Sequence, residues 1–162
     1  MDVFFEQIVK MKFTAKDWLL YAAVWGFAGL LTFFALAFLG DLSFVVAVGL
    51  IFGAWKLSSK FLIEYEYIFT NGDLDFDKII AKSSRKRIAS INCARVEKYG
   101  KYNWNASLSG SVNKAYTFCN QNDPNAVYLI VVHKNEGRVL VVFAPEQRIK
   151  EAIEKAIPRI AM

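Results

Sequence analysis

Hydrophobic and polar positions change rhythm several times along this chain. In residues 2–13, Val3, Phe4, Phe5, Ile8, Val9 and Phe13 are set against Asp2, Glu6, Gln7 and Lys10. Those spacings suit one face of a short helix, placed either in a headgroup layer or against a folded domain. Thr14-Ala15-Lys16-Asp17 then reads as a helix start, with Thr14 accepting from backbone N–H groups and Asp17 returning the bond. From Trp18 to Gly40 no residue is charged. At about 1.5 Å per residue this run reaches roughly 34 Å, against about 30 Å for a bilayer core. Helix one is predicted from about Ala15 to about Leu39.

Gly40-Asp41 is the one polar break before a second apolar run, Leu42–Trp55, so the connecting turn must be tight. Helix two is short if it stops at Trp55. It is long enough to span when continued to Ser59 or Lys60, with Lys56 reaching back to the headgroups; a re-entrant segment is the competing reading. Gly49 and Gly53 form a GxxxG pattern, and Ala22 with Gly26 a second pair of small residues four apart. Such pairs let helix backbones approach closely, either within the hairpin or between two copies.

After Lys60 the period drops to two. Ile63, Tyr65, Tyr67 and Phe69 alternate with Glu64, Glu66 and Thr70. Asn71-Gly72 is the turn that a tight hairpin prefers, because both central residues need positive φ. The returning strand places Leu74 and Phe76 inward and Asp73, Asp75 and Asp77 outward. Further strands are expected at Arg87–Ile91, Val96–Tyr99, Lys114–Asn120, Val127–Lys134 and Arg138–Phe143, the last two joined by Asn135-Glu136-Gly137. Pro145 opens a final helix whose apolar stripe is Ile149, Ala152, Ile153, Ala156, Ile157 and Ile160. That helix is placed to plug one open end of a curved, nearly closed sheet.

Composition adds an orientation. Charge is almost absent between Trp18 and Trp55, and from Lys60 onward 16 Lys/Arg face 11 Asp/Glu, which accounts for the whole net charge of +5. Lys10, Lys12 and Lys16 precede the apolar runs, Lys56 and Lys60 follow them, and the turn carries no Lys or Arg. Both termini are therefore expected in the cytoplasm, where Asn105-Ala106-Ser107 is not a usable glycosylation acceptor. No cleavable signal peptide is visible, since the apolar run starts late and is too long for one. Cys93 and Cys119 stand alone and read as buried reduced thiols.

The text YEYIFTNGDLDFDKIIAKSSRKRIASI (Tyr65–Ile91), followed by further strands and one terminal helix, resembles bacterial pleckstrin-homology-like (PH-like) domains that follow a pair of membrane helices. Thr70-Asn71, the strand Leu74–Lys82, the tract Arg85-Lys86-Arg87 and the strand Ile88–Ile91 carry the likeness, and the pattern extends over roughly residues 60–160. The resemblance implies a small membrane-tethered module, from a family with no agreed ligand. Lipid-binding PH domains usually carry a basic first loop. Here that loop is Asn71-Gly72 followed by three aspartates, which would repel an inositol phosphate.

Candidate chemistry is sparse. His133 is the one histidine, read as a structural or rim residue with no acid or nucleophile to pair with it. Asp73, Asp75 and Asp77 lie about 7 Å apart along one strand face, too splayed for a Ca²⁺ loop, and read as a solvated acidic face. Lys98–Trp104 mixes bases with aromatics as nucleic-acid binders do, but the stretch suits headgroups or a protein partner as well, and nucleic acid is not expected. The loop Asn105–Asn113 is a possible binding rim.

The expected architecture is a segment 1–13, a two-helix transmembrane hairpin 14–60 and a cytoplasmic PH-like domain 61–162. That domain is a barrel of about seven strands capped by a C-terminal helix. The expected function is a non-enzymatic binding or scaffold module in the inner membrane, with a bilayer and a protein as partners and no cofactor or metal. Lys56, Lys60, Lys82, Arg85, Lys86 and Arg87 are the expected contacts to an anionic leaflet, because the Asn71-Gly72 hairpin returns the tract to the level of helix two. Ala22, Gly26, Gly49 and Gly53 are the expected helix-packing residues. The alternative is a homo-oligomeric membrane subunit assembled through those helices.

Overall fold

The computed structural model describes residues 3–105, 112–133 and 136–158. The chain divides into two compact units, one made of residues 12–63 and 80–84, the other of residues 1–11, 64–79 and 85–162.

The first unit is a helical hairpin. Helix α1 (Ala15–Phe38) starts at a complete capping box: the Asp17 N–H donates to Thr14 Oγ1 at 3.3 Å, and the Thr14 N–H donates to Asp17 Oδ2 at 2.8 Å. Gly40, at φ +53°, begins a single 3₁₀ turn, Gly40–Leu42, which leads into α2 (Ser43–Ser58). A second 3₁₀ turn, Ser59–Phe61, follows. Gly40–Phe61, taken as one helical stretch, and α1 are each long and apolar enough to cross a membrane. The seam between the helices is made of small residues: Ala28 and Ala35 face Ala47, Ala54 and Ser58. Each helix thus repeats alanine every seven residues, two turns apart, on its buried side.

Among the described residues, the second unit holds eight strands and one α-helix. Strands β1 (Phe4–Lys10), β2 (Ile63–Thr70), β3 (Asp73–Ile80) and β4 (Ser84–Asn92) form one sheet in that order. Strands β5 (Val96–Lys101), β6 (Lys114–Thr117), β7 (Val127–His133) and β8 (Gly137–Phe143) form another in the order β5-β7-β8-β6, with β6 parallel to β8. Helix α3 spans Gln147–Ala156. Asn71 (φ +49°) and Gly72 (φ +97°) make the tight turn that their identity requires.

The inner face is aromatic. Phe76 stacks on Phe118 at 4.5 Å between centroids and meets Phe143 edge-on at 5.1 Å, while the buried Tyr67 hydroxyl donates to the Phe118 carbonyl at 2.6 Å. Ile149, Ile153 and Ile157 of the α3 stripe are all buried in this core; Ile160 lies outside the described residues.

Three expectations need correction. Residues 2–13 do not form a helix: Phe4–Lys10 pairs antiparallel with β2, from Phe4 opposite Thr70 to Lys10 opposite Glu64. Its alternating burial puts Phe5, Gln7 and Val9 inward, a period-two pattern that Val3-Phe4-Phe5 obscures. Gln7 then ties β1 to the start of α3, donating to the Ala144 carbonyl at 3.1 Å and accepting from the Glu146 N–H at 2.7 Å. Second, the strands form two four-stranded sheets rather than a barrel of about seven strands, because β1 adds a strand and, among the described residues, no pairing closes the sheets into one. Third, Asp77 is buried rather than solvated, for the reason given next.

Candidate functional site: the charged face of the first sheet

The outward face of the first sheet carries acids on β2 and β3 and bases on β4. Arg85 on β4 reaches over β3 to Glu66 on β2, with Nη2 at 2.9 Å from Oε1. Arg87 spans two aspartates, Nη1 to Asp75 Oδ2 at 2.8 Å and Nε to Asp77 Oδ1 at 2.9 Å. Further along, Ser90 donates to Asp75 at 2.5 Å and Asn92 to Asp73 at 2.6 Å. The ladder explains the three aspartates: they hold β4 onto β3 by charge-assisted bonds. Ser90 can join Arg87 on Asp75 because Ile88 and Ala89 both turn toward the core, which shifts the alternation of β4 by one.

Glu66 is the unusual member. It is fully buried, and its Oε2 has no hydrogen-bond partner. Burial, and then the Glu6 carboxyl beside it, raise the Glu66 carboxyl above its ordinary range, against the Arg85 guanidinium, which lowers it. Arg85 itself is half exposed, so the pair has one end in water.

The rest of the tract is distributed differently. Lys56 sits in the last turn of α2 and Lys60 in the 3₁₀ turn after it. Lys82 lies in the β3–β4 turn, where Ala81 (φ +53°) and Lys82 (φ +55°) both take the left-handed conformation. The Ala81 N–H donates to the Leu62 carbonyl at 2.9 Å, so Lys82 belongs to the same compact unit as Lys56 and Lys60. Arg85 and Arg87 are engaged in the ladder, and Lys86 alternates to the other side of β4 from them. The predicted helix-packing residues are not brought together. Ala22, Gly26, Gly49 and Gly53 are exposed, and a Cβ added at Gly26, Gly49 or Gly53 would meet nothing within 4 Å. The hairpin uses the alanine seam instead, since one helix face can serve only one partner at a time.

Among the described residues, no group of three His, Cys, Asp or Glu stands where it can hold a metal ion. Cys93 and Cys119 are free and buried, and burial pushes both thiols up to about 12. The His133 side chain and residues 106–111 of the Asn105–Asn113 loop lie outside the described residues.

The family model of the bacterial PH-like domain (DUF6106) matches residues 1–162. The chain belongs to that family. No curated protein and no solved structure matches it. The match covers the helical hairpin as well as the strands, so both belong to this PH-like protein's family pattern. Membership suggests a binding or scaffold module. Sequence reasoning missed the burial of Glu66 and Asp77; the available signal was the pair of arginines two apart, Arg85 and Arg87, on a strand beside alternating acids.

Proposed function

We propose that this PH-like protein is a non-enzymatic, membrane-tethered binding or scaffold module that displays its β-domain at the cytoplasmic surface of the inner membrane. The observation that carries the reading is the inverted packing of the hairpin. Its seam is alanine and serine, while Phe38 (77% exposed), Phe44 (72%) and their neighbours point outward. Helices that bury small residues and present large apolar ones are what a bilayer favours, because lipid replaces water around the large side chains. The test is extraction. The protein should stay with membranes through an alkaline wash and leave only with detergent; release by alkali would defeat the reading. For topology, an alkaline phosphatase fused at the C-terminus should be inactive, and activity in the periplasm would invert the orientation.

The headgroup contact is assigned to Lys56, Lys60 and Lys82, with Arg85, Lys86 and Arg87 continuing the tract. An anionic leaflet attracts such residues by about 1 kcal/mol each before screening. Arg85 and Arg87 contribute less than the lysines, because Glu66, Asp75 and Asp77 compensate them. One observation favours a second reading, a homo-oligomer: Gly49 and Gly53 offer an open face that the hairpin leaves unused.

A further inference from the structure

Within the β-domain, α3 does not close fully against the first sheet. A crevice of about 630 Å³ remains, floored by Phe5, Phe69, Ala152 and Ala156. Its origin is in the helix sequence. Ile149, Ile153 and Ile157 dock α3 into the core, and the adjacent side of the helix offers Ala152 and Ala156, one turn apart. Methyl groups there leave hollow the space a Leu would fill. The opposite wall is held in place at its end: the Val3 N–H donates to Asn71 Oδ1 at 2.9 Å, and the Asn71 N–H donates to the Val3 carbonyl at 3.0 Å.

The volume is that of a small-molecule site. Its rim is positively charged. Arg148 and Lys155, two helical turns apart on α3, both line the opening, and neither has an ion-pair partner among the described residues. Glu151 between them is held by Gln147, whose Nε2 donates to it at 2.8 Å. We propose that the crevice binds a single-chain amphiphile with a carboxylate head, its alkyl chain against Phe5, Phe69, Ala152 and Ala156 and its head between Arg148 and Lys155. The crevice lies along about 12 Å of helix, from Arg148 to Ala156. The proposal does not depend on the hairpin lying in a membrane.

The test uses the full-length chain held in nanodiscs, with empty nanodiscs as blank, titrated calorimetrically with hexanoate, octanoate and decanoate. Saturable binding above the blank is expected, tightening about fourfold per added methylene. Replacing both Arg148 and Lys155 with Gln should weaken decanoate about tenfold and leave decanol unchanged. A diazirine-bearing decanoate should label peptides containing Phe5 or Ala152, and Ala152→Phe should abolish that label. Should Ala152→Phe fail to fold, the exposed Lys155→Gln still reports through the loss of carboxylate preference. No binding above the blank, no dependence on chain length, equal binding of decyltrimethylammonium, or labelling elsewhere would each overturn the assignment.

Discussion

In the hairpin, the side chains held between elements are Ala28, Ala35, Ala47, Ala54 and Ser58; in the β-domain they are Tyr67, Phe76, Phe118 and Phe143. The same residue type therefore has opposite roles in one chain. Phe76 is fully buried, while Phe38 and Phe44 are the most exposed of the large apolar residues described. In water, burying aromatics is the main source of stability, at roughly 25 cal/mol per Å², and the β-domain is built that way. The hairpin forgoes that term almost entirely. Close approach of backbones through small residues replaces it, which stabilises helices only where the large side chains have an apolar medium around them.

The strongest challenge to this comparison is to truncate a phenylalanine on each side of it. Phe76→Ala should destabilise the β-domain by about 3–5 kcal/mol through lost burial and the cavity left behind. Phe38→Ala should change unfolding of the full-length protein in lipid by no more than about 0.5 kcal/mol, as expected for a position that buries nothing inside the protein. Denaturant unfolding followed by tryptophan fluorescence reads both. Comparable losses at the two sites would mean that Phe38 is buried against something other than lipid.

The converse experiment enlarges the seam. Ala35 is 4% exposed and Ala54 6%, so Ala35→Leu or Ala54→Leu must push the helices apart, at a cost of about 1–3 kcal/mol. The same change at exposed Ala22 should be silent. If Ala22→Leu disrupts the hairpin and Ala54→Leu does not, the seam has been assigned to the wrong face.

The hairpin was legible in the sequence because charge exclusion over Trp18–Gly40, a Thr14–Asp17 cap and a Gly40 turn are local signals. Its seam was not, because GxxxG is a prominent pattern, while alanines seven apart stand out little among so many apolar residues. The strands were legible wherever alternation was clean, as in β2 and β3. β1 was misread because Val3, Phe4 and Phe5 are consecutive apolar residues, and pairing with β2, some sixty residues away, decides the matter. The turn at Ala81-Lys82 carries no Gly or Asn to announce its left-handed φ. At the candidate site, the basic tract was visible but its partners were not, since Arg85 meets Glu66 across an intervening strand.

That pair supplies a subtler probe of how the β-domain treats charged groups, in contrast to a hairpin that buries no charged side chain among the described residues. Arg85→Gln leaves the buried Glu66 carboxylate without its cation, a loss of about 1–3 kcal/mol near neutral pH, below the figure for a fully buried pair because the guanidinium is half exposed. Glu66→Gln should cost less, since it removes the buried charge and leaves Arg85 in water. The pH dependence separates them. The Glu66 carboxyl is raised in the fold, so between its ordinary and its raised value the folded state binds the extra proton. Stability from this group is present below the ordinary range and lost as pH rises through the raised value. Acidification should therefore rescue Arg85→Gln in part, and Glu66→Gln should abolish that slope. A flat profile in Arg85→Gln would show that water or another donor already satisfies Glu66.

The smallest expected effect on the fold is at Gly49 and Gly53, and it distinguishes the two readings of the hairpin's surface. Nothing lies within 4 Å of a Cβ added at either position, so Gly→Ala meets no steric barrier inside the hairpin. Replacing glycine in a helix interior favours the helix by about 0.5–1 kcal/mol. A hairpin surrounded only by lipid should therefore be slightly stabilised by Gly49→Ala with Gly53→Ala, and its mass in native conditions should stay the same. A second copy packed on that face would meet two new methyl groups at the point of closest backbone approach, and the assembly should dissociate. Sedimentation of both forms in the same detergent gives the answer. A shift from oligomer to monomer would establish the face as an interface between copies, whereas an unchanged monomer with improved stability would leave lipid as its neighbour.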